Sequence, residues 1–269
     1  MMLVDMKIDE LLQYQGRNPK PQDFDTFWDN SLKGLAALDP QCEWVPAQFQ
    51  TQKAECFDLY FTGMGGSRIH AKFARPRKAE DRKGPAVVMF HGYSGNAGDW
   101  FNMLPYAGAG FTVASMDCRG QGGHSQDTVA TTGTTLNGHI IRGIDDTPDK
   151  LLFRNIFLDT AELIAIVGNE PYVDASRIGV TGGSQGGGLT LAAAALTPGV
   201  NRAAPLYPFL SDYKRVWEMD LAKNAYQEIQ NYFRRPSPMP MYIPSGSTAG
   251  QARLPEMPAE THRESRRPT

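Results

Sequence analysis

The first strong pattern along the chain is helical. In "DFDTFWDNSLKGLAAL", residues 23–38, the apolar positions Phe24, Phe27, Trp28, Leu32 and Leu35 recur at steps that place them on one helical face. The next pattern has period two. "CFDLYFT" (56–62) alternates through Phe57, Leu59 and Phe61, and "RIHAKFA" (68–74) through Ile69, Ala71 and Phe73, with the Gly-rich "GMGGS" between them. Two alternating runs around such a turn predict an antiparallel hairpin. The "RPRKAEDRKG" stretch that follows reads as a charged, solvated loop.

From residue 85 the alternation gives way to short, continuously apolar runs. "PAVVMF" ends at "HGYSGN", "FTVASMD" at "CRGQGGHS" and "RIGVTG" at Ser184, while "RAAPLYP" makes a fourth run. Helical stretches separate them: around 97–109, in "LFRNIFLDTAELIAIVGN" and in "GGLTLAAAALTP". Buried strands alternating with helices predict an α/β fold whose parallel-rich sheet is covered on both faces. Ligands in such sheets bind beyond the C-terminal strand ends, where all three Gly-rich segments fall. "SDYKRVWEMDLAKNAYQEIQNYF" (211–233) then predicts a longer helical region capped by Ser211. Residues 236–269 carry seven of the nineteen prolines and neither period, so disorder is expected there. The domain reading is thus one folded unit over 1–235 and a tail.

Composition narrows the classes without changing this picture. Apolar residues make up 41% of the 269 and charged residues 21%, and the formal net charge is −2, so no global positive field favours nucleic acid or an anionic membrane. No run of about 18 apolar residues suggests a membrane span. The start, "MMLVDMKIDELLQYQG", does not read as a secretory leader. Cys42, Cys56 and Cys118 are too few and too widely spaced for a disulfide framework or a thiolate metal site. A cytoplasmic protein is the expectation.

The chemistry concentrates at residues 182–187, "GGSQGG". Gly182-Gly183-Ser184-Gln185-Gly186 matches G-x-S-x-G between a predicted strand and a predicted helix, the context a nucleophile elbow requires. A side chain at Gly182 or Gly186 would collide with neighbouring backbone, and the sharp turn lifts Ser184 to the mouth of the following helix. The Gln185 amide can there face a developing oxyanion. The competing reading is a Gly-rich turn that packs closely or grips a phosphate; the flanking elements and the lack of a G-x-x-x-x-G-K-[ST] lysine weigh against it. "HGYSGN" is placed to supply a second oxyanion donor, the Tyr93 amide, whose ring is a candidate wall of an acyl pocket together with Trp100. His91 reads as structural. Arg119, near Asp117 and Gln121, is expected to pair with a buried carboxylate, ahead of a direct substrate role. His124 and His139 read as solvated loop residues, and Phe209 as pocket lining or core.

These motifs resemble the acetyl xylan esterase and cephalosporin-C deacetylase family, carbohydrate esterase family seven, over roughly residues 3–235. The matching blocks are "FDTFWDNSL", "HGYSGNAGDW", "DCRGQGGHSQD", "GGSQGG" and "PFLSDYKRVWE". The family's R-G-Q motif is Arg119-Gly120-Gln121 here, and its G-x-S-Q-G motif carries Ser184. The resemblance implies an α/β-hydrolase fold and a serine esterase that removes acetyl groups from sugars and cephalosporin C. It also implies a hexamer, with no metal or organic cofactor; on charge and hydropathy, neither nucleic acid nor membrane is expected as a partner. The "RGQ" motif and the N-terminal extension weigh against a dienelactone hydrolase or a peptidase.

One part of the pattern is missing. In α/β hydrolases the triad acid and histidine follow the serine. After Ser184 the only histidine is His262, in "THRES", and the family's H-E motif is absent. The acids Asp212, Glu218, Asp220, Glu228, Glu256 and Glu260 do not follow a predicted strand. Family-like sequence stops near Arg235, as an altered reading frame would produce. The expectations are that the last strands of the fold are missing, that the isolated chain is marginally stable, and that it is either an esterase through Ser184 or a catalytically impaired relative.

Overall fold

A computed structural model describes residues 6–77, 83–133, 139–219 and 226–234. After a short helix α1 (Ile8–Leu12), the patterned segment forms α2 (Phe24–Ala36). Its predicted apolar face is only half covered: Trp28 packs its ring 6.2 Å from Phe157, while Phe24 stays exposed. A strand that the periodicity did not mark, β1 (Glu43–Pro46), pairs with β2 (Ala54–Thr62). The hairpin forms where expected, β2 lying antiparallel to β3 (Arg68–Pro76) in register from Thr62–Arg68 to Ala54–Pro76.

The α/β section follows the predicted order. β4 (Gly84–Phe90) leads through a turn at Trp100–Asn102 and α3 (Leu104–Gly108) to β5 (Thr112–Met116). Then come α4 (Leu152–Gly168), β6 (Val173–Gly183), α5 (Gln185–Leu196) and β7 (Val200–Leu206). The seven strands order as β1-β2-β3-β5-β4-β6-β7. The pairs β5/β4, β4/β6 and β6/β7 are parallel; β1/β2, β2/β3 and β3/β5 are antiparallel. This is an α/β-hydrolase sheet, parallel in only half of its pairings because the N-terminal hairpin joins it edge-on. The main core gathers Phe61, Phe73, Val88, Met116, Ile156, Leu163 and Leu189 from both faces.

One expectation needs correction, the cap at Ser211. Within 211–233 the described helices are α6 (Tyr213–Glu218) and α7 (Gln227–Arg234). Asp212, not Ser211, caps α6, its carboxylate accepting the Arg215 amide at 3.2 Å. Asp212 sits at a left-handed φ of 48°, which a short carboxylate side chain tolerates, and its charge favours the positive end of the helix. Its other oxygen accepts from the Tyr14 hydroxyl, tying the N-terminal segment to α6.

β7 is the sheet edge among the described residues. Five of its seven residues are exposed, its last residue Leu206 by 52%, and Tyr207 just beyond is 78% exposed. The loop core at 78–82, Asp220 and the tail with Glu256, Glu260 and His262 lie outside the described residues. No described helix is long and apolar enough to cross a membrane.

Candidate active site

Ser184 lies between the last residue of β6 and the first of α5, with φ 57° and ψ −118°. Such a conformation costs a residue with a side chain about 1–3 kcal/mol and persists only where the surroundings impose it. The Ser184 amide donates to the Leu206 carbonyl at 3.1 Å, and its carbonyl accepts from Phe209 at 2.8 Å and from Gly188 at 3.1 Å. The neighbouring glycines are obligatory for steric reasons. A Cβ on Gly182 would lie 2.5 Å from the Phe90 carbonyl oxygen, and one on Gly186 2.1 Å from the same atom. The C-terminal end of β4 therefore closes directly over the elbow, and "HGYSGN" follows it.

Both flanking glutamines are structural partners of one another. Gln121 Nε2 donates to Gln185 Oε1 at 2.9 Å, and Gln185 Nε2 returns a bond to Gln121 Oε1 at 3.1 Å. Gln121 Oε1 also accepts the Ser94 amide at 2.9 Å. This pair ties the loop that carries Tyr93 to the elbow that carries the Gln185 amide. The two candidate oxyanion donors are thereby held relative to each other by side chains from both motifs.

Arg119 is fully buried, and its guanidinium grips Asp159 of α4 through Nε at 2.7 Å and Nη2 at 2.5 Å. Nη1 donates to the Met64 carbonyl at 2.9 Å and to Ser67 Oγ at 3.0 Å. Burial alone would lower the Arg119 pKa, but Asp159 and Asp127 outweigh it and hold the proton. With its donors spent on α4 and on the turn after β2, Arg119 is a tie between loops.

The described histidines are all engaged away from Ser184. His91 Nδ1 bonds the Gly92 carbonyl at 2.7 Å, and its Nε2 accepts the Cys118 amide at 2.9 Å, so burial, which lowers its pKa, fits a neutral structural ring. His139 is half-buried, its ring centroid 5.1 Å from that of Tyr93. His124 packs edge-on against His70 at 5.1 Å and donates its amide to Asp117. The solvated reading holds for His124, which is exposed, and is replaced by a packing role for the half-buried His139. Trp100 does not line a pocket with Tyr93; it stacks on Phe49 within the smaller apolar cluster around Met103. Tyr93 instead packs 5.5 Å from Phe209, which in turn lies 4.5 Å from Tyr226.

Sequence reasoning missed two buried networks. His70 bridges Asp117 through Nδ1 at 2.7 Å and Asp58 through Nε2 at 3.0 Å. Asp117 also accepts the amides of Ala97 at 2.5 Å and His124 at 2.7 Å, so it anchors two of the Gly-rich loops. The only available signal was a histidine inside an alternating strand, and it fell on the face taken as outward. Burial would lower the His70 pKa, but Asp117 and Asp58 raise it overall; burial would raise Asp117, yet His70 and the two amides bring it below its ordinary value. The His70 contribution to stability is full below about pH 6.5 and is lost as pH rises through its raised folded pKa. The Asp117 contribution is present above about pH 4 and is lost as pH falls through its lowered folded pKa. The melting-temperature gap between the parent and His70→Asn is therefore expected to be widest at pH 5–6 and narrower at pH 9. A gap that does not change with pH would show that folding leaves the His70 pKa where it is in the unfolded chain.

The second missed network joins Glu228 of α7 to Tyr93. The Tyr93 hydroxyl donates to Glu228 Oε1 and accepts the His139 amide at 3.1 Å. Of the acids noted after Ser184, Asp212 caps a helix, Glu218 pairs with Arg17 at 2.5 Å on the surface, and Glu228 holds Tyr93. None meets a histidine among the described residues, and there no group of three or more His, Cys, Asp or Glu converges on a metal position.

The same architecture occurs in known proteins. The family model "Acetyl xylan esterase (AXE1)" matches residues 1–241. Acetyl xylan esterase 1 from Thermoanaerobacterium sp. JW/SL YS485 is 54% identical, with a TM-score of 0.84 over 93% of this chain and 76% of that one. An acetyl xylan esterase from Paenibacillus sp. R4 is 34% identical, with a TM-score of 0.81 over 87% and 74% of the two chains. Acetyl esterase Axe7A of Xylanibacter ruminicola is 27% identical over 262 residues, which is 88% of this chain; the chain spans only 58% of that relative's length.

Proposed function

Because the chain belongs to the acetyl xylan esterase family, we propose that it is a serine carboxylesterase acting through an acetyl-Ser184 intermediate, on acetylated xylan-type sugars, cephalosporin C or both. The observation that carries this reading is the strained, left-handed Ser184 between β6 and α5, enclosed by glycines that admit no side chain. Ser184 Oγ attacks the acetyl carbonyl carbon, and the oxyanion that forms accepts from the amides of Tyr93 and Gln185. The tetrahedral intermediate collapses by breaking the ester bond; the proton given up by Ser184 Oγ ends on the sugar oxygen, which leaves as the alcohol, and water then hydrolyses the acetyl-serine to acetate and restores the serine hydroxyl. A small acetyl ester is the feature the substrates share, which suits an elbow whose Ser184 carbonyl is bonded by the Phe209 amide, with the Phe209 ring packed 5.5 Å from that of Tyr93. Three unpaired cysteines support placement in a reducing compartment, the cytoplasm.

A specific observation favours a second reading, a catalytically impaired member of the family. The general base should be a histidine oriented by a carboxylate. The four described histidines are bonded or packed elsewhere, and His262 lies outside the described residues. A triad enzyme without its base and acid keeps about 10³–10⁴-fold acceleration over water from its oxyanion hole and binding. Hydrolysis of p-nitrophenyl acetate by the purified chain, set beside Ser184→Ala, separates the two. The esterase reading expects turnover that the substitution abolishes; equal residual rates in both proteins would establish the impaired one.

A further inference from the structure

We propose that Glu228 is a positioning residue for the oxyanion loop, acting through the hydroxyl of Tyr93. Glu228 is 6% exposed, on the first turn of α7, where a carboxylate would ordinarily face water. It is buried with both oxygens in use. Oε1 accepts from the Tyr93 hydroxyl, and Oε2 accepts the Ile140 amide at 3.2 Å. The Tyr93 hydroxyl accepts in turn from the His139 amide at 3.1 Å. A carboxylate that gives up hydration must recover it in hydrogen bonds, and here every recovered bond converges on Tyr93 or on the turn beside it.

Tyr93 is thus held from two sides. Its backbone side is held through Ser94, whose amide is bonded to Gln121 and so to Gln185. Its ring side is held by Glu228 and clasped between Phe209 and His139. The glutamine pair sets the separation of the loop from the elbow. Glu228 sets the rotation of Tyr93, and with it the direction of the peptide N–H. A donor must aim at the oxygen of the intermediate, and loss of one such donor costs about 10²–10³ in kcat. A donor that is present but misaimed loses a part of that.

The inference rests on the esterase reading of Ser184, and its test is chosen to fail separately from it. Three variants, Glu228→Ala, Glu228→Gln and Tyr93→Phe, are compared with the parent for p-nitrophenyl acetate turnover and for amide hydrogen exchange of the 91–97 segment. Glu228→Ala is expected to lower kcat about ten-fold with KM within about two-fold, the mark of an interaction made in the transition state. Glu228→Gln, which keeps one acceptor, should fall between it and the parent. Tyr93→Phe should fall in the same direction. Because both substitutions break one link, the Glu228→Ala/Tyr93→Phe double variant should be no slower than the slower single variant. Exchange in 91–97 should quicken in all variants, most in Glu228→Ala. Losses that multiply in the double variant, or folded variants with parental kcat and parental exchange, would overturn the proposal. A parent chain whose turnover survives Ser184→Ala overturns the esterase reading instead, and the exchange measurement then still decides whether Glu228 orders the loop.

Discussion

Arg119→Ala is expected to lower the stability of the protein by about 3–5 kcal/mol, the usual consequence of removing one partner of a buried ion pair. The reason is what stays behind. Asp159 is fully buried in the middle of α4, and its two oxygens have the Arg119 guanidinium as their bidentate partner. Without Arg119 a carboxylate remains in an apolar environment beside Asp127 and Glu162, which already disfavour more negative charge. The Met64 carbonyl and Ser67 Oγ lose a donor as well. Chemical denaturation of the parent and variant measures the difference. The companion variant Arg119→Met/Asp159→Leu removes both charges and should recover most of the loss, because paired burial contributes little net stability. A double variant as unstable as Arg119→Ala would mean that the guanidinium acts through the carbonyl and hydroxyl bonds rather than through the ion pair.

Gly186→Ala is expected to eliminate Ser184-dependent turnover and to cost the fold at least the 1–3 kcal/mol typical of overpacking. The new methyl would sit 2.1 Å from the Phe90 carbonyl oxygen, 2.8 Å from its carbon and 3.1 Å from the His91 oxygen. All three are backbone atoms of β4 and its following loop, so no side chain can step aside. Either α5 moves away from β4, or the "HGYSGN" loop shifts; in both cases Ser184 and the Tyr93 amide lose their relation. Gly108→Ala is the control. Nothing lies within 4 Å of a Cβ there, so the change should be neutral or stabilising by about 0.4–1 kcal/mol through the unfolded chain. Gly186→Ala with parental activity and melting temperature would show that the elbow is looser than its close contacts indicate.

The elements that periodicity announced are those whose side chains meet one clear environment. The hairpin of β2 and β3 alternates because one row of side chains enters the core, and β4 and β5 read as apolar runs because both their faces are covered, whereas β6 is exposed over 175–177. β1 escaped notice because four residues with a single half-buried position, Trp44, carry no period. Arg119 was legible as a partner for a buried carboxylate, but which carboxylate was not: Asp159 lies forty residues away and looks like part of the polar face of a helix. Glu228 was hidden in the same way, as an ordinary charge on an amphipathic helix.

Sequence alone determined the α/β class, the strand–turn–helix around Ser184 and the need for glycine at 182 and 186. These are local matters, decided by residue size, backbone freedom and spacing within a few positions. Tertiary structure decided which polar groups meet: Gln121 with Gln185, Arg119 with Asp159, His70 with Asp117 and Asp58, and Tyr93 with Glu228. A polar side chain has the same local signature whether it faces water or a partner 135 residues away, and only the packing of distant segments distinguishes the two. Burial without a partner is what the fold cannot sustain, so the pairs appear only once the chain is closed.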